Sequence, residues 1–258
     1  MSALEWCASP FVRAFLVFVV WTMLLLGPSL AAADEPPSPR PERSWSLEFA
    51  LGSSIGGPTE DIEDAMRAAG LDDPVEVGAC CETSYPQTSD GDLSSLWGAA
   101  RRRLGDSPWL VGVGAGWTEL GSVGGNRNVE GEPQGSFYIY SEVEMLTLAP
   151  MTWFQPLPAV RLGAGLALNR VDTHLGRSYT AEVDDSSSWE PGLMVEAAVN
   201  LPVASRFYFL ALLQYRWLQD GTIGPWQDEA SSGEVVVFPE SEVTLSHALV
   251  AVGLGIRF

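Results

Sequence analysis

The chain has 258 residues and a net charge of −19, with 33 Asp plus Glu against 14 basic residues, every one of them arginine. That balance argues against a nucleic-acid partner, whose phosphates need a basic footprint, and it repels anionic partners at long range. Three cysteines are too few for a disulfide framework, and no segment of the mature part approaches the roughly 20 apolar residues of a membrane helix.

Arg13 precedes an apolar run over residues 14–26, followed by Gly27-Pro28 and the small residues Ser29 to Ala33. A charged start, a short apolar stretch and a small-residue site read as a secretory signal cleaved after Ala33. Residues 1–33 are thus a signal peptide. Residues 34–44, with Pro36, Pro37, Pro39 and Pro41, form a proline-rich lead-in that cannot join a sheet. Residues 45–258 remain as one domain. Cys7 leaves with the signal; the adjacent Cys80 and Cys81 form either a strained vicinal disulfide or two loop thiols.

From Trp45 onward, segments of about ten residues alternate apolar and small or polar side chains, the period of a strand. The first, residues 45–55, sets Trp45, Leu47, Phe49, Leu51 and Ile55 against Ser46, Glu48, Ala50, Gly52 and Ser54. A long loop follows, holding a predicted short helix over 58–69. Pro58 suits its first turn, Glu60 and Asp61 suit its positive end, Gly70 stops it, and Ile62, Ala65, Met66 and Ala69 share one face. A weaker strand spans about 92–104, crowded by Arg101-Arg102-Arg103. A third covers 109–119, where Val111, Val113, Ala115 and Trp117 oppose Gly112, Gly114 and Gly116. These glycines precede no helix and resemble no phosphate loop; they make room inside a narrow barrel.

The fourth strand, 136–148, is expected to turn Phe137, Ile139, Val143 and Met145 outward and Tyr138, Tyr140, Glu142 and Glu144 inward. The fifth, 159–170, opposes Leu162, Leu166 and Leu168 to Arg161 and Asn169. The sixth, 191–201, opposes Leu193 and Val195 to Glu196 and Asn200. The seventh, 206–217, opposes Phe207, Phe209 and Trp217 to Arg206, Tyr208, Gln214 and Arg216. The eighth ends the chain, with Val250, Val252, Leu254, Ile256 and Phe258 on one face and Leu249, Ala251, Gly253, Gly255 and Arg257 on the other. Connections alternate: short at 105–107, 150–158 and 202–204, long and polar at 56–91, 120–135, 171–190 and 218–244. Eight strands with short turns on one rim and long loops on the other describe an up-and-down barrel.

A soluble barrel would fill its inside with the large apolar residues. Here the charges fall on the small face, and an arginine facing lipid near the midplane costs about 2–4 kcal/mol. The apolar face therefore meets lipid. Glu48, Glu142, Glu144, Arg161, Glu196, Arg206 and Arg216 are expected in the lumen, with Glu142, Glu144 and Glu196 pairing with Arg161, Arg206 and Arg216 into a plug.

The strand pattern, the loop alternation and the terminal Phe258 resemble the small eight-stranded bacterial outer-membrane β-barrel superfamily of the OmpA-transmembrane, OmpX and OmpW kind, over about 210 residues. The resemblance implies an all-β, eight-stranded antiparallel up-and-down transmembrane β-barrel with a short helix in the first long extracellular loop. It also implies residence in the cell outer membrane. Val250, Val252, Leu254, Ile256 and Phe258 match the C-terminal assembly signal of that superfamily, which implies the barrel-assembly machinery and outer-membrane lipid as partners. No catalytic motif comes with it.

Chemistry elsewhere is sparse. Ser246-His247, with Glu242 and Ser241 nearby, invites comparison with outer-membrane lipid A deacylases, but neighbours on a strand point to opposite faces, against direct contact. The acidic pairs Asp72-Asp73, Asp90/Asp92 and Asp184-Asp185 lack calcium-loop spacing, and His174 near Asp172 reads as solvated. No cofactor or metal is expected. The functional expectation is a non-enzymatic structural or surface-interaction barrel whose long loops meet an extracellular partner. The alternatives are a small-solute channel and a lipid A-modifying acyl hydrolase.

Overall fold

The computed structural model describes residues 45–76, 94–127, 137–177, 183–229, 233 and 235–258. The expected signal, the proline-rich lead-in, Cys80-Cys81 and Asp90/Asp92 lie outside the described residues. The elements in chain order are β1 (Trp45–Ile55), α1 (Thr59–Ala68), β2 (Asp72–Glu76), β3 (Ser95–Arg103), β4 (Trp109–Arg127), β5 (Phe137–Leu157) and β6 (Val160–Arg177). β7 (Val183–Pro202), β8 (Phe207–Leu218), β9 (Gly221–Ile223), β10 (Trp226–Glu229), β11 (Val235–Phe238), β12 (Ser241–Val243) and β13 (His247–Arg257) complete the chain.

Eight strands close into an antiparallel ring in the order β1, β3, β4, β5, β6, β7, β8, β13. The seam runs from Ser46 opposite Arg257 to Ile55 opposite Ala248, and Trp45 and Phe258 exchange both backbone hydrogen bonds below it. Over the height spanned by β1, β3, β8 and β13 closure leaves no free edge, the condition for a sheet surrounded by lipid. The weakly patterned β3 is a full member. Ser95, Trp97, Ala99 and Arg101 point inward, so its lumen face carries a large ring and a charge that the sequence pattern did not show.

Two strand groups differ in height. β1, β3, β8 and β13 have 11, 9, 12 and 11 residues, close to the 9–11 that cross a bilayer. β4, β5, β6 and β7 have 19, 21, 18 and 20, so one wall rises well beyond the membrane. Residues 150–157, 120–127, 171–177 and 183–190, expected within connections, are strand; the β5–β6 turn shrinks to Pro158-Ala159.

Above the low wall, α1 and two small hairpins, β9 with β12 and β10 with β11, fill the space against the tall one. Ile62, Ala65 and Met66 of α1 pack with Leu120, Val123, Ile139, Val143, Met145, Val171 and Leu175 of the wall and with Ile223, Trp226, Val236, Phe238 and Leu245. Gly70, at φ 76°, ends the helix in a conformation costly for other residues. Asp61 Oδ2 accepts a 2.7 Å bond from Thr244 N, joining α1 to the chain entering β13.

Phe137, Ile139, Val143 and Met145 were expected to face lipid and Glu142 and Glu144 to face the lumen. The order is reversed: Ile139, Val143 and Met145 are buried inside, while Glu142 and Glu144 lie on the outer face. The parity of the strand never changes; its surroundings do. From Leu146 downward the outward residues are apolar against lipid except Thr152, and above it they meet water while the inward ones pack the cap. Three strands mark that boundary with matching rungs: Leu148–Leu168–Pro191, then Leu146–Arg170–Trp189, then Glu144–Asp172–Ser187. Trp189 is 60% exposed at the transition, where an amphipathic indole suits the headgroup level. At the opposite rim Trp45, Trp109, Phe207 and Phe258 are likewise exposed, and Trp109 packs on Phe154 at 5.0 Å.

Inside the ring, glycines make shelves for aromatic side chains of neighbouring strands. A Cβ at Gly114 would stand 2.2 Å from the Trp97 ring, one at Gly163 2.3 Å from Trp153 Cδ1, and one at Gly255 2.1 Å from Tyr208 Cζ. Gly163→Val is expected to push the Trp153 indole off its shelf and cost about 1–3 kcal/mol. Urea unfolding in lipid vesicles should show a lowered midpoint, and Trp153→Ala should cost less in the Gly163→Val background than in wild type.

Candidate functional site

The most organised polar site lies in the lower lumen. Glu48 comes from β1, Arg101 from β3, Arg161 from β6 and Glu196 from β7, and all four are essentially inaccessible to solvent. Arg161 spans the barrel: Nη1 and Nη2 reach Glu48 at 2.6 and 2.9 Å, while Nε and Nη2 reach Glu196 Oε1 at 3.2 and 2.9 Å. Arg101 pairs with Glu48 through Nη1 and with Glu196 Oε1 through Nη2 at 3.2 Å.

Neutral donors complete the two carboxylates. Tyr208 donates to Glu48 Oε1 at 2.5 Å, Trp153 Nε1 to Glu196 Oε1 at 2.9 Å and Gln214 Nε2 to Glu196 Oε2 at 3.2 Å. Arg101 also stacks on Trp153, its guanidinium carbon 4.4 Å from the ring centroid. The aromatic groups that occupy the glycine shelves thus orient the charges. Two acids and two arginines balance, which is how charge is tolerated out of water.

Of the residues expected in a lumen network, Glu48, Arg161 and Glu196 come together here. Arg216 is also in the lumen, one layer higher, and makes no ion pair among the described residues; Nη1 bonds Thr118 and Thr147 at 3.3 and 3.1 Å, and Nη2 bonds Gln214 at 3.0 Å. Arg206 is exposed at the turn before β8, where water solvates it. Glu142 and Glu144 lie outside the barrel above the lipid boundary. Sequence reasoning passed over Arg101 because three consecutive arginines hide which one points inward; the parity from Trp97 and Ala99 was the available signal.

The upper outer wall holds a second polar group. Glu142, His174 and Asp185 share one rung and Glu144, Asp172 and Ser187 the next. His174 Nδ1 lies 2.7 Å from Asp185 Oδ1, beside a shallow cavity of about 280 Å³ lined by Arg170, Asp172, His174, Asp185, Ser186 and Ser187. Burial disfavours the His174 imidazolium, but the Asp185 hydrogen bond and the charges of Asp185, Glu142 and Glu144 outweigh it and raise its pKa. Burial and the neighbouring Glu144 raise the pKa of Glu142, partly opposed by His174.

The hydrolase grouping is not assembled. Ser246 Oγ bonds the backbone N and O of Leu218 at 3.0 and 3.1 Å, and Ser241 Oγ donates to Pro239 O at 3.3 Å. His247 points into the closed lumen, with Nδ1 donating to Leu245 O at 2.9 Å.

A closed eight-stranded ring with an apolar belt, aromatic rims and a charged interior defines a transmembrane β-barrel of the cell outer membrane. Solved structures similar to the chain include a major outer membrane protein from Thermus thermophilus, at 14% identity and TM-score 0.49, covering 83% of this chain and 98% of that one. OprG from Pseudomonas aeruginosa matches at 13% and 0.45, covering 83% and 95%. Ail, the attachment invasion locus protein of Yersinia pestis, matches at 13% and 0.38, covering 83% and 97%. No protein-family model and no curated sequence matches the chain.

Two outcomes are expected. Glu196→Ala leaves Arg101 and Arg161 short of a counter-charge and should cost about 3–5 kcal/mol, read as a lower urea midpoint of the heat-modifiable folded band. The upper β6–β7 hairpin should be stabilised by acid. Its His174 contribution is full below the ordinary imidazole value of 6.5 and is lost as pH rises through the higher folded value. The Glu142 contribution has the same sign, because its folded pKa is also raised. Amide hydrogen exchange corrected for intrinsic rate, at pH 5.5 and 8, should show this, with the difference reduced in His174→Gln.

Proposed function

We propose that this chain is a non-enzymatic outer-membrane barrel with a structural or surface-interaction role, its lumen closed by its own side chains. The carrying observation is two closures in series. The Glu48–Arg101–Arg161–Glu196 cluster spans the interior from β1 to β7, and above it the apolar cap built on α1 and the β9–β12 hairpins packs against the tall wall. Eight strands leave an interior about wide enough for side chains alone. A bonded charge cluster of this kind offers no continuous water path.

What remains for function is the part that rises into the medium: the extended wall, the cap and the acidic loops, held on a rigid support where surface recognition is usually carried. The bonding of Ser246 and His247 to separate backbone groups favours this reading over acyl hydrolysis.

The test is single-channel recording in planar bilayers. Wild type should give no stable steps, whereas Glu48→Ala/Arg161→Ala/Glu196→Ala combined with removal of the cap segment 221–243 should give measurable conductance. Reproducible large steps from wild type would overturn the closed lumen and favour solute transport. Release of acyl chains from outer-leaflet lipid that disappears in His247→Ala would overturn the non-enzymatic reading.

A further inference from the structure

The layer immediately above the plug is unbalanced. Arg216 is fully buried, and among the described residues its guanidinium is hydrogen-bonded only by the hydroxyls of Thr118 and Thr147 and the amide oxygen of Gln214. Gln214 passes its own Nε2 donor down to Glu196, whose charge is already shared by Arg101 and Arg161. The two layers together therefore carry one positive charge in excess. A lone buried cation is costly, and its neutral hydroxyl and amide partners leave that cost only partly offset.

The same layer also has a surplus of donors. Arg216 Nε, Trp97 Nε1 and Ser95 Oγ are buried with no hydrogen-bond partner among the described residues. They belong together. Arg216 lies over the Trp97 ring at 5.2 Å, Ser95 stands opposite Thr118 in the β3–β4 register, and Thr118 bonds Arg216. His247 faces Arg216 across the β8–β13 pair. With its Nδ1 donating to Leu245 O, its Nε2 is a lone-pair acceptor without a hydrogen-bond partner among the described residues.

We propose that this layer is a binding site for a small inorganic anion of the halide class. Excess positive charge, together with N–H and O–H donors lacking acceptors, is complementary to an anion. A water molecule can meet those donors but adds no compensating charge. The apolar walls on either side, Met194 on β7 opposite Arg216 and Leu249 on β13 opposite Gln214, favour a monatomic ion over a polyatomic one. Below, the four-charge plug closes the site, and above, the cap core covers it, so exchange requires the cap to open. The ion is a lodged counter-ion that completes the lumen.

The experiment measures thermal unfolding of the full barrel in nanodiscs, at fixed pH and constant ionic strength, while sodium gluconate is replaced by sodium chloride or bromide. A saturating rise in Tm with either halide is expected. Arg216→Met should abolish it, and Trp97→Phe, which keeps a ring on the glycine shelf and removes only the donor, should shift its midpoint to roughly tenfold higher halide. Equal melting in gluconate and halide would overturn the site. So would an unchanged halide response in Trp97→Phe, which keeps the test decisive if Arg216→Met fails to fold.

Discussion

Everything in this molecule is arranged around carrying charge through a lipid-embedded interior. Glu48 and Glu196 would each be prohibitively costly alone at that depth, and so would Arg101 and Arg161; bonded as a group of four they are tolerated. The group draws its members from β1, β3, β6 and β7, so it forms only when the ring has closed in the correct register. A shift of one residue in any of those strands would put its charge into lipid. The cluster therefore ties register to closure in a protein whose outer face, lined by Leu, Val and Phe, gives lipid little reason to prefer one register over another.

The glycines serve the same end. Glycine on a strand normally weakens it, yet here Gly114, Gly163 and Gly255 sit where Trp97, Trp153 and Tyr208 of adjacent strands lie flat. Those rings donate to the carboxylates or stack under the guanidinium groups. Small residues on one strand thus hold the functional geometry of large ones on the next. Packing and electrostatics are one arrangement.

Above the membrane the physics changes sign. The outward face of β5 reads Leu148 and Leu146 in lipid, then Glu144 and Glu142 in water, while its inward face passes from Thr147 to Met145 and Val143. A single uninterrupted strand is lined as a membrane strand over one half and as a soluble strand over the other. That is why the cap possesses an apolar core of its own, supplied by α1 and the β9–β12 hairpins, and why the tall wall can carry His174 and its acidic neighbours at the surface.

The alternating pattern by itself determined the eight strands, their antiparallel order, the amphipathic helix with Ile62, Ala65 and Met66 on its buried face, and the apolar belt. Period-2 patterning in a lipid solvent is a local property, readable within ten residues. Three features had to wait for the tertiary structure. Which way Glu142 and Glu144 face depends on where β5 leaves the bilayer, a height set by neighbouring strands. That Arg101, and neither of its neighbours, joins Glu48 depends on ring register. That Arg216 shares the lumen with the acids yet pairs with none depends on distances across the barrel. Parity along a strand is written in the strand; depth, partner and charge balance belong to the closed ring, because lipid, water and opposing charge are encountered only once the ring exists.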